Sequence, residues 1–438
     1  MQSTPAHSWS DTLKLYCQRR IIVILLLGFA AGLPFQLMFS TLTAWLSEAG
    51  VSKTTIGLFV LTGIAFSFKF LWAPLVDRLP LPVVTRRIGQ RRSWLALAQI
   101  VCVVSLVQIG LSDPGTDLTT TALWVVVLAF ASATQDIAID AYRIETLEED
   151  EQGAGAAVYQ LGYRLAMILS GGGALILADI VSWQIVYAVM AACMSLGLLT
   201  TLLSPEPKSV PRAESGHTGA QRYIEWIKES VIAPFADFMG RPGWWLILLF
   251  VVFYKYADGI WAAMANPFYL ELGFTKSEIG AVSKTYGVVM TIIGGFLGGA
   301  MVLRFGILKS VLFGAVTMAL TNLLYAALAL IEPTIPALVV VISIENLANG
   351  IGGTAFIAYL SSLCNLAYTA TQYALLSSFM NVARTLLASG GGWLADQVDW
   401  ATFFVLTTIA GIPGVVLLLY LIKMFPQHTH TARAEVRS

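Results

Sequence analysis

The sequence predicts an all-α integral membrane protein in which twelve transmembrane helices form two six-helix bundles. Of its 438 residues, 57% are hydrophobic and only 12% are charged, whereas about 25% of the residues of a soluble domain are charged. Twelve apolar segments have roughly the 20-residue length of a membrane-spanning helix. They cover residues 21–46, 54–76, 94–112, 119–142, 153–178, 184–203, 243–270, 278–303, 310–330, 336–362, 372–395 and 401–424.

Charged residues occur in these segments with a period of three. The third, sixth and ninth segments contain no Asp, Glu, Lys or Arg, and the twelfth has only Lys423 at its end. A charge in hydrocarbon costs several kcal/mol, so the charge-free segments should face lipid. This repeat is typical of the major facilitator fold. The second, fourth, fifth, seventh, eighth, tenth and eleventh segments carry Lys69, Asp136, Asp140, Arg164, Lys255, Asp258, Lys284, Glu345 and Arg384.

One long polar stretch, Ser204 to Pro242, separates the first six segments from the last six. Its prolines and glycines predict a flexible linker. Apolar residues from Ile224 to Phe238 then recur at helical spacing, which fits an amphipathic helix either on the membrane surface or packed under a bundle. The predicted domains are a first bundle (1–203), a linker (204–242), a second bundle (243–425) and a tail (426–438).

The distribution of cations predicts the orientation. Nineteen of the 26 Lys and Arg residues lie in connections and tails on one side, two (Lys53 and Lys276) lie on the other, and five lie within segments. By the positive-inside rule both termini are cytoplasmic. We therefore predict a multi-pass membrane protein with the linker on the cytoplasmic side.

The two halves contain similar segments. Tyr163 to Asp179 reads YRLAMILSGGGALILAD and Ala383 to Asp396 reads ARTLLASGGGWLAD. Parallel repeats place a substrate site where the halves meet, near the membrane midplane. Arg164 and Arg384 each lie ~16–18 Å from the cytoplasmic end of their segment. Two cations at matching depth predict a clamp for an anionic substrate.

A gate is predicted at the cytoplasmic end of the second segment. Asp77 and Arg78, followed by several arginines, resemble the cytoplasmic loop motif of major facilitators, in which such residues latch the gate. Positive-inside anchoring would explain the arginines but not Asp77. In the second half, Leu303 stands where the acid would be, so the latch should be asymmetric.

Isolated acids within the segments are candidates for proton coupling. Asp136, Asp140 and Arg143 share one face of the fourth segment, where Asp140 and Arg143 can form a local pair. Asp136 is deeper, and it must find Lys69, Arg164 or water, or else stay protonated.

Glu345 is similarly without a cation in its own segment and stands beside Asn346 and Asn349. Asp258 can pair with Lys255 in its own helix, so a structural role for that pair remains open. The predicted order for proton coupling is Asp136, then Glu345, then Asp258.

Several segments carry a resemblance to a known family. They are SATQDIAIDAYRIETL (132–147), GAGAA (153–157), FKFLWAPLVDR (68–78), VSKTYGVVMTIIGGFLGG (282–299) and SLCNLAYTATQYALLS (362–377). They resemble the AmpG muropeptide permeases in the same order along the chain. The resemblance implies a proton-driven importer of anhydromuropeptides, the sugar-peptide products of cell-wall turnover, in the bacterial inner membrane. It makes candidates for substrate or proton handling of Lys69, Gln135, Asp136, Asp140, Arg164, Lys284, Gln372 and Arg384.

The complete predicted site combines the residue pattern with this resemblance. The substrate-binding candidates are Arg164, Arg384, Lys69, Gln135, Lys284, Asn346, Asn349 and Gln372. The gating candidates are Asp77, Arg78, Asp140 and Arg143. The predicted partners are the sugar-peptide substrate, the proton and the lipid bilayer. We expect a monomer that binds no nucleic acid and no cofactor. No metal site is expected, because the histidines lie in tails or linker and the cysteines lack metal-ligand spacing.

Alternatives remain open from the sequence. Related transporters carry acetyl-coenzyme A or siderophores, so another bulky anion could be the substrate. A channel is a mechanistic alternative, although the two-fold repeat and the isolated acids favour a carrier. A membrane enzyme is disfavoured because the segments contain no histidine and no pair of nucleophile and base.

Overall fold

The computed structural model describes residues 15–207, 228–386 and 391–424, without the side chains at 53, 54, 57, 60, 262, 263, 276 and 382–386. Within these ranges the chain is helical and contains no strand. The fold class predicted from the apolar segments is confirmed.

Ten helices of the described residues are long and apolar enough to cross a membrane. We number the twelve membrane segments α1–α12 in chain order. These ten are α1 (Arg19–Glu48), α3 (Gln90–Leu111), α4 (Leu118–Thr146), α5 (Gln152–Ala178), α6 (Trp183–Leu203), α7 (Trp244–Glu271), α8 (Ser277–Phe305), α9 (Ile307–Leu330), α10 (Ile335–Ser362) and α12 (Trp400–Met424).

The two remaining predicted segments are series of shorter helices. Segment α11 contains Thr369–Leu386 and Gly391–Gln397. Segment α2 alternates α-helix and tighter 3₁₀-helix, and 3₁₀ stretches within a helix often mark functional hinges. Its parts are Lys53–Leu58, Phe59–Gly63, Ile64–Phe68, Lys69–Leu71 and Ala73–Arg78.

Glycines allow the helices of each bundle to pack closely. A Cβ atom at Gly28 of α1 would collide with the carbonyl oxygen of Tyr159 in α5. In the second bundle, a Cβ at Gly294 of α8 would collide with the carbonyl oxygen of Leu347 in α10. Small residues in apolar helices commonly permit this backbone approach.

The repeat is visible at the connections α2–α3 and α8–α9. Gly89 (φ 92°, ψ 169°) and Gly306 (φ 83°, ψ 163°) have the same left-handed backbone. Four residues later, the amides of Ser93 and Ser310 donate to the carbonyls of these glycines. The two connections are therefore structurally equivalent, except that residues 79–88 separate Arg78 from Gly89, whereas Phe305 alone separates Arg304 from Gly306.

The opposite ends of the bundles also match. The indole N–H of Trp183, the first residue of α6, donates to Glu48, the last residue of α1 (2.7 Å). Trp400, the first residue of α12, donates to Glu271, the last residue of α7 (2.6 Å). An aromatic ring three residues before each glutamate contacts the same tryptophan. We call these two contacts the Trp–Glu clasps.

The two halves meet on the side that carries residues 204–242, which we call the linker side. There α5 packs against α8 and α10, and α11 packs against α2 and α4. Ala370 and Ala374 of α11 belong to one buried apolar cluster with Val76 and Ile137 of the first half. These contacts close the linker side of the protein.

The linker residues described here pack beneath the second half. They form Lys228–Ile232 and the helix Ala233–Met239. Phe238 is fully buried in the core of the second bundle, which agrees with the packed alternative for the predicted amphipathic helix. Residues 208–227 of the predicted linker, which include the start of the predicted amphipathic helix, lie outside the described residues.

Candidate functional site

Three charged side chains form a buried row in the first half. The Lys69 amine lies 3.7 Å from an oxygen of Asp140, whose other oxygen lies 3.7 Å from the Arg143 guanidinium. Lys69 comes from a 3₁₀ turn of α2, while Asp140 and Arg143 are on α4. These separations are too long for hydrogen bonds, so the row is held by charge attraction in a region of low dielectric constant.

Arg143 connects this row to the second half. Its guanidinium donates to Ser361 Oγ of α10 (3.1 Å). It also lies over the rings of Tyr159 and Tyr373, at 5.9 and 5.4 Å from their centroids. Arg143 is fully buried, so its charge is poorly screened by water. Its position therefore depends both on the charge of Asp140 and on the contact with α10.

Asp136 lies one helical turn deeper than Asp140 on α4. Its Oδ1 atom is buried and has no hydrogen-bond partner among the described residues. Lys69 and Asp140 are close enough to act on it electrostatically, with opposite signs. Of the partners foreseen for Asp136, the structure therefore brings Lys69 near, but without a hydrogen bond.

The second half contains a separate group of charges. The Lys255 amine and an oxygen of Asp258 are 2.8 Å apart on α7, the pair that their spacing predicts. Both act electrostatically on Glu345 of α10. Asp258 also borders the seam between α7, α9 and α12.

Glu345 is buried and bound by amide groups. Asn346 Nδ2 donates to it at 2.6 Å and Asn349 Nδ2 at 3.4 Å. The oxygen of Asn346 accepts from Thr291 Oγ1 of α8 (2.8 Å). Glu345 is therefore bound by the two neighbouring asparagines, which were themselves predicted to bind substrate.

Arg164 and Arg384 occupy similar levels of the two bundles. Counted from the linker-side ends of α5 and α11, they lie about 18 Å and about 22 Å deep. Arg164 is half-buried. The side chain of Arg384 lies outside the described residues, so the clamp remains a prediction.

Two predicted substrate-binding lysines have contrasting environments. Lys284 is exposed, within the π-helical turn Gly280–Tyr286 of α8, and no residue of the described ranges pairs with it. A lysine this far inside a membrane segment needs contact with water. Lys69, by contrast, is buried beside Asp140, so its charge is already engaged.

The two predicted glutamines satisfy polar groups of the protein itself. Gln135 donates to the carbonyl of Ala30 in α1 (2.9 Å). Gln372 donates to Asp237 of the linker (2.7 Å) and accepts from the amide of Asn365 (2.8 Å). Partners distant in sequence therefore hold both glutamines inside the packed structure.

The predicted gate residue Asp77 lies at the centre of the linker-side contact. It is fully buried and accepts hydrogen bonds from the amide of Ala370 (3.1 Å) and from the amide and hydroxyl of Thr371 (2.7 and 2.6 Å). A carboxylate at this position caps the first turn of α11 and complements its helix dipole.

Arg91 and Glu145 complete a group of buried charges around Asp77, which we call the latch after its predicted role. The Arg91 guanidinium bonds to Asp77 at 2.7 Å and to Glu145 of α4 at 2.6 Å. Glu145 was not predicted, although it is an acid at the end of α4 that faces the arginine-rich α2–α3 connection. Arg78, which was predicted, lies over the ring of Tyr368 at 5.1 Å and 3.9 Å from Glu229 of the linker.

Glu206 attaches the start of the linker to the first half. Its carboxylate accepts from the amides of Arg91 (2.7 Å) and Arg92 (3.1 Å), which are in the first turn of α3. A Cβ at Gly89 would collide with this carboxylate. Burial raises the pKa of the Glu206 carboxyl, and the two backbone hydrogen bonds oppose that shift.

Comparisons with known proteins identify the class. The model of the Major Facilitator Superfamily matches residues 24–257 and 256–437. The solved structure of a proton:xylose symporter has a TM-score of 0.68 at 13% identity and covers 96% of this chain and 97% of its own. That of the human organic anion transporter MFSD10 has a TM-score of 0.65 at 15% identity and covers 91% and 99%. The fold and the family model define a major facilitator transporter.

Curated relatives narrow the family. The anhydromuropeptide permease of Escherichia coli (strain K12) is 39% identical over 413 residues, 94% of this chain and 81% of that protein. The putative transporter AmpG 4 of Rickettsia felis is 36% identical over 412 residues, 94% of this chain and 98% of that protein. The chain belongs to the AmpG-type muropeptide permease family, which confirms the resemblance seen in the sequence. It is a multi-pass membrane transporter, not an enzyme.

Proposed function

We propose that this protein imports anhydromuropeptides across the bacterial inner membrane by proton-coupled alternating access. The observation that carries the substrate class is the 39% identity to an anhydromuropeptide permease over 94% of the chain. The linker-side closure supports alternating access, because a contact made of buried ion pairs and caps can break and re-form as a unit.

The substrate is an anion with many hydroxyl and amide groups. Arg164, half-buried in α5, and the exposed Lys284 of α8 supply cations from both halves. Arg384 is our third candidate. Charge-assisted hydrogen bonds from such groups to carboxylates are about twice as strong as neutral ones, so cations on both halves favour closure around the substrate.

Asp136 is the proposed proton carrier. Its buried Oδ1 lacks a donor in the described part of the chain, so protonation would remove a poorly compensated charge. Glu345 is second because two amides already bind it, and Asp258 is third because Lys255 pairs with it. The row Lys69–Asp140–Arg143 offers a route by which this proton could loosen the contact with α10.

The orientation follows from the cations. The positive-inside rule makes the linker side cytoplasmic, so both termini face the cytoplasm. The structure then represents a state closed toward the cytoplasm. A monomer suffices, because both halves of the site come from one chain.

Uptake by proteoliposomes tests this function. Labelled anhydromuropeptide should enter saturably, should accumulate under an inward proton gradient and should lose that accumulation when an uncoupler is added. Accumulation of a siderophore or acyl-coenzyme A, but not of the muropeptide, would replace the substrate. Unsaturable uptake would indicate a channel.

Asp136→Asn separates proton coupling from transport. The amide imitates the neutral acid, so exchange of substrate across the membrane should continue while gradient-driven accumulation is lost. Glu345→Gln, which changes the amide-bound acid of the second half, is the matched control. Normal accumulation by Asp136→Asn with loss in Glu345→Gln would transfer the coupling role to Glu345.

A further inference from the structure

The connection between α2 and α3 contains a segment with no counterpart in the second half. Residues 79–88 lie between Arg78 and Gly89, whereas Phe305 directly precedes the equivalent Gly306. The additional segment includes the short helix Val84–Ile88, none of whose residues is buried. A direct turn joins α8 to α9, so joining the helices does not require these residues.

Hydrogen bonds hold this segment against the start of α3. The Trp94 indole donates to the carbonyl of Leu79 (2.9 Å). The Thr85 hydroxyl lies 2.9 Å from that of Ser93 and accepts from the amide of Leu81 (2.8 Å). Tryptophans near the ends of membrane helices lie at headgroup level. The segment is therefore fixed at the surface of the membrane, beside the peripheral helix α3.

The outward face of the segment combines apolar and basic side chains. Because Thr85 faces the protein, the helical rotation of 100° per residue turns Arg87 away from it. Val83 is 63% exposed and Val84 is 41% exposed. Arg86 and Arg87 are also exposed, and neither has an ion pair within the ranges that the structure describes.

The backbone of Val83 is unusual. Its φ of 66° is the one positive value at a non-glycine residue of the described chain. A β-branched residue is unfavourable in this region, and such outliers persist where the surroundings or a function maintain them. At the membrane surface, an exposed valine gains by leaving water for the boundary between headgroups and acyl chains.

From these observations we infer that residues 79–88 bind the phosphate headgroups of anionic phospholipids in the linker-side leaflet, with Val83 and Val84 inserted between the lipids. Arg86 and Arg87 supply guanidinium groups, which bind phosphate oxygens in a bidentate manner. Each basic residue near a charged membrane contributes roughly five-fold in affinity. Zwitterionic lipids lack the net charge that both arginines would attract.

Native mass spectrometry of the purified full-length protein measures this binding. The protein should retain phosphatidylglycerol more strongly than phosphatidylcholine, and Arg86→Gln with Arg87→Gln should weaken retention roughly ten-fold or more. The matched control is Lys309→Gln with Lys423→Gln, which removes two exposed charges elsewhere on the linker side. Equal losses in the two double variants, or no loss in either, would overturn the proposal.

A spin label at Val83→Cys, with Cys17→Ser to remove an exposed thiol, tests insertion separately. In vesicles with phosphatidylglycerol the label should collide more with oxygen than with a water-soluble nickel chelate, as for a lipid-facing site. A label at Lys309→Cys should show the opposite preference. If the Val83→Cys label collides like the one at Lys309→Cys, the segment is aqueous and open to a soluble partner, and lipid binding is wrong.

Discussion

The two halves of the linker-side closure are equivalent in position but not in chemistry. Between α2 and α11, the Asp77 carboxylate receives three hydrogen bonds from the start of α11. Between α8 and α5, Gly153 at the start of α5 lies against Gly299 and Val302, so close that an added Cβ would be 2.5 Å from the valine Cβ. One contact depends on charge, and the other depends on shape.

Two substitutions between the halves account for this difference. The matching glycines at 89 and 306 align Arg91 with Leu308, and Leu303 stands where the first half has Asp77. Leu303 is half-buried and packs beside the apolar start of α5. The same backbone therefore serves a charged latch in one half and a close-packed contact in the other. A substitution that removes a charge should therefore weaken the contact between α2 and α11 but not the contact between α8 and α5.

Removing the charge of the latch should have the largest effect. Asp77→Asn loses the carboxylate that pairs with Arg91 and caps α11, and breaking a buried pair costs about 3–5 kcal/mol. The closed state should lose this stability. In a background without native cysteines, maleimide modification of Ala374→Cys, which is buried between the halves, should accelerate roughly a hundred-fold or more.

The equivalent change in the second half is the control. Leu303→Ala should alter the modification rate far less, since no ion pair is lost there. If Asp77→Asn left Ala374→Cys as protected as in the parent, the latch would not maintain the closure.

The proposed clamp compares the halves at the level of substrate. Arg164→Gln and Arg384→Gln each remove one charge-assisted contact, which should cost about 1.5–3 kcal/mol, or ten- to a hundred-fold in affinity. Binding of labelled muropeptide to each folded variant measures this loss. Parental affinity in both variants would remove the arginines from the site, and a loss in only one would place the anion contact in one half.

The shape-dependent contact should respond to a single methyl group. Gly153→Ala forces a Cβ against Val302, and overpacking of this kind costs about 1–3 kcal/mol. Modification of Ala374→Cys should therefore accelerate, although less than with Asp77→Asn. Gly153→Ala combined with Val302→Gly should restore protection, because it removes the clashing atoms. Failure of this pair to recover would mean that the contact does not depend on the fit at this position.

Arg78→Gln should have the smallest effect. The side chain of its acidic partner, Glu229, is 57% exposed, and exposed ion pairs contribute about 0–1 kcal/mol. Modification of Ala374→Cys should change only a few-fold, like that of the control variant Lys309→Gln. A change as large as that of Asp77→Asn would show that the linker contact belongs to the latch itself.

The sequence was sufficient for the fold and for contacts between neighbouring residues. Apolar length and the period of charged segments predicted the architecture, and the spacing of Lys255 and Asp258 predicted their pair. The predictions were weaker where partners are far apart in the chain. Gln372 of α11 is bound by Asp237 of the linker helix and by Asn365 of the preceding loop. No local sequence pattern connects α11 to the linker helix. Glu206 was missed for the same reason.

The irregularity of α2 was also not predictable from its apolar pattern. A window of hydrophobic residues shows that a segment can cross the membrane, but not which hydrogen-bond register each turn adopts. In α2 the 3₁₀ turn at Lys69–Leu71 brings the lysine to Asp140. The partner of this lysine is on α4, which is distant in sequence.

The Trp–Glu clasps have a mechanical consequence for transport. Each joins the far end of one helix to the start of another in the same half, so a tilt of α1 without α6, or of α7 without α12, would break a hydrogen bond at that end. In the movement proposed above, these bonds favour a joint displacement of α1 with α6 and of α7 with α12 at the rim remote from the linker.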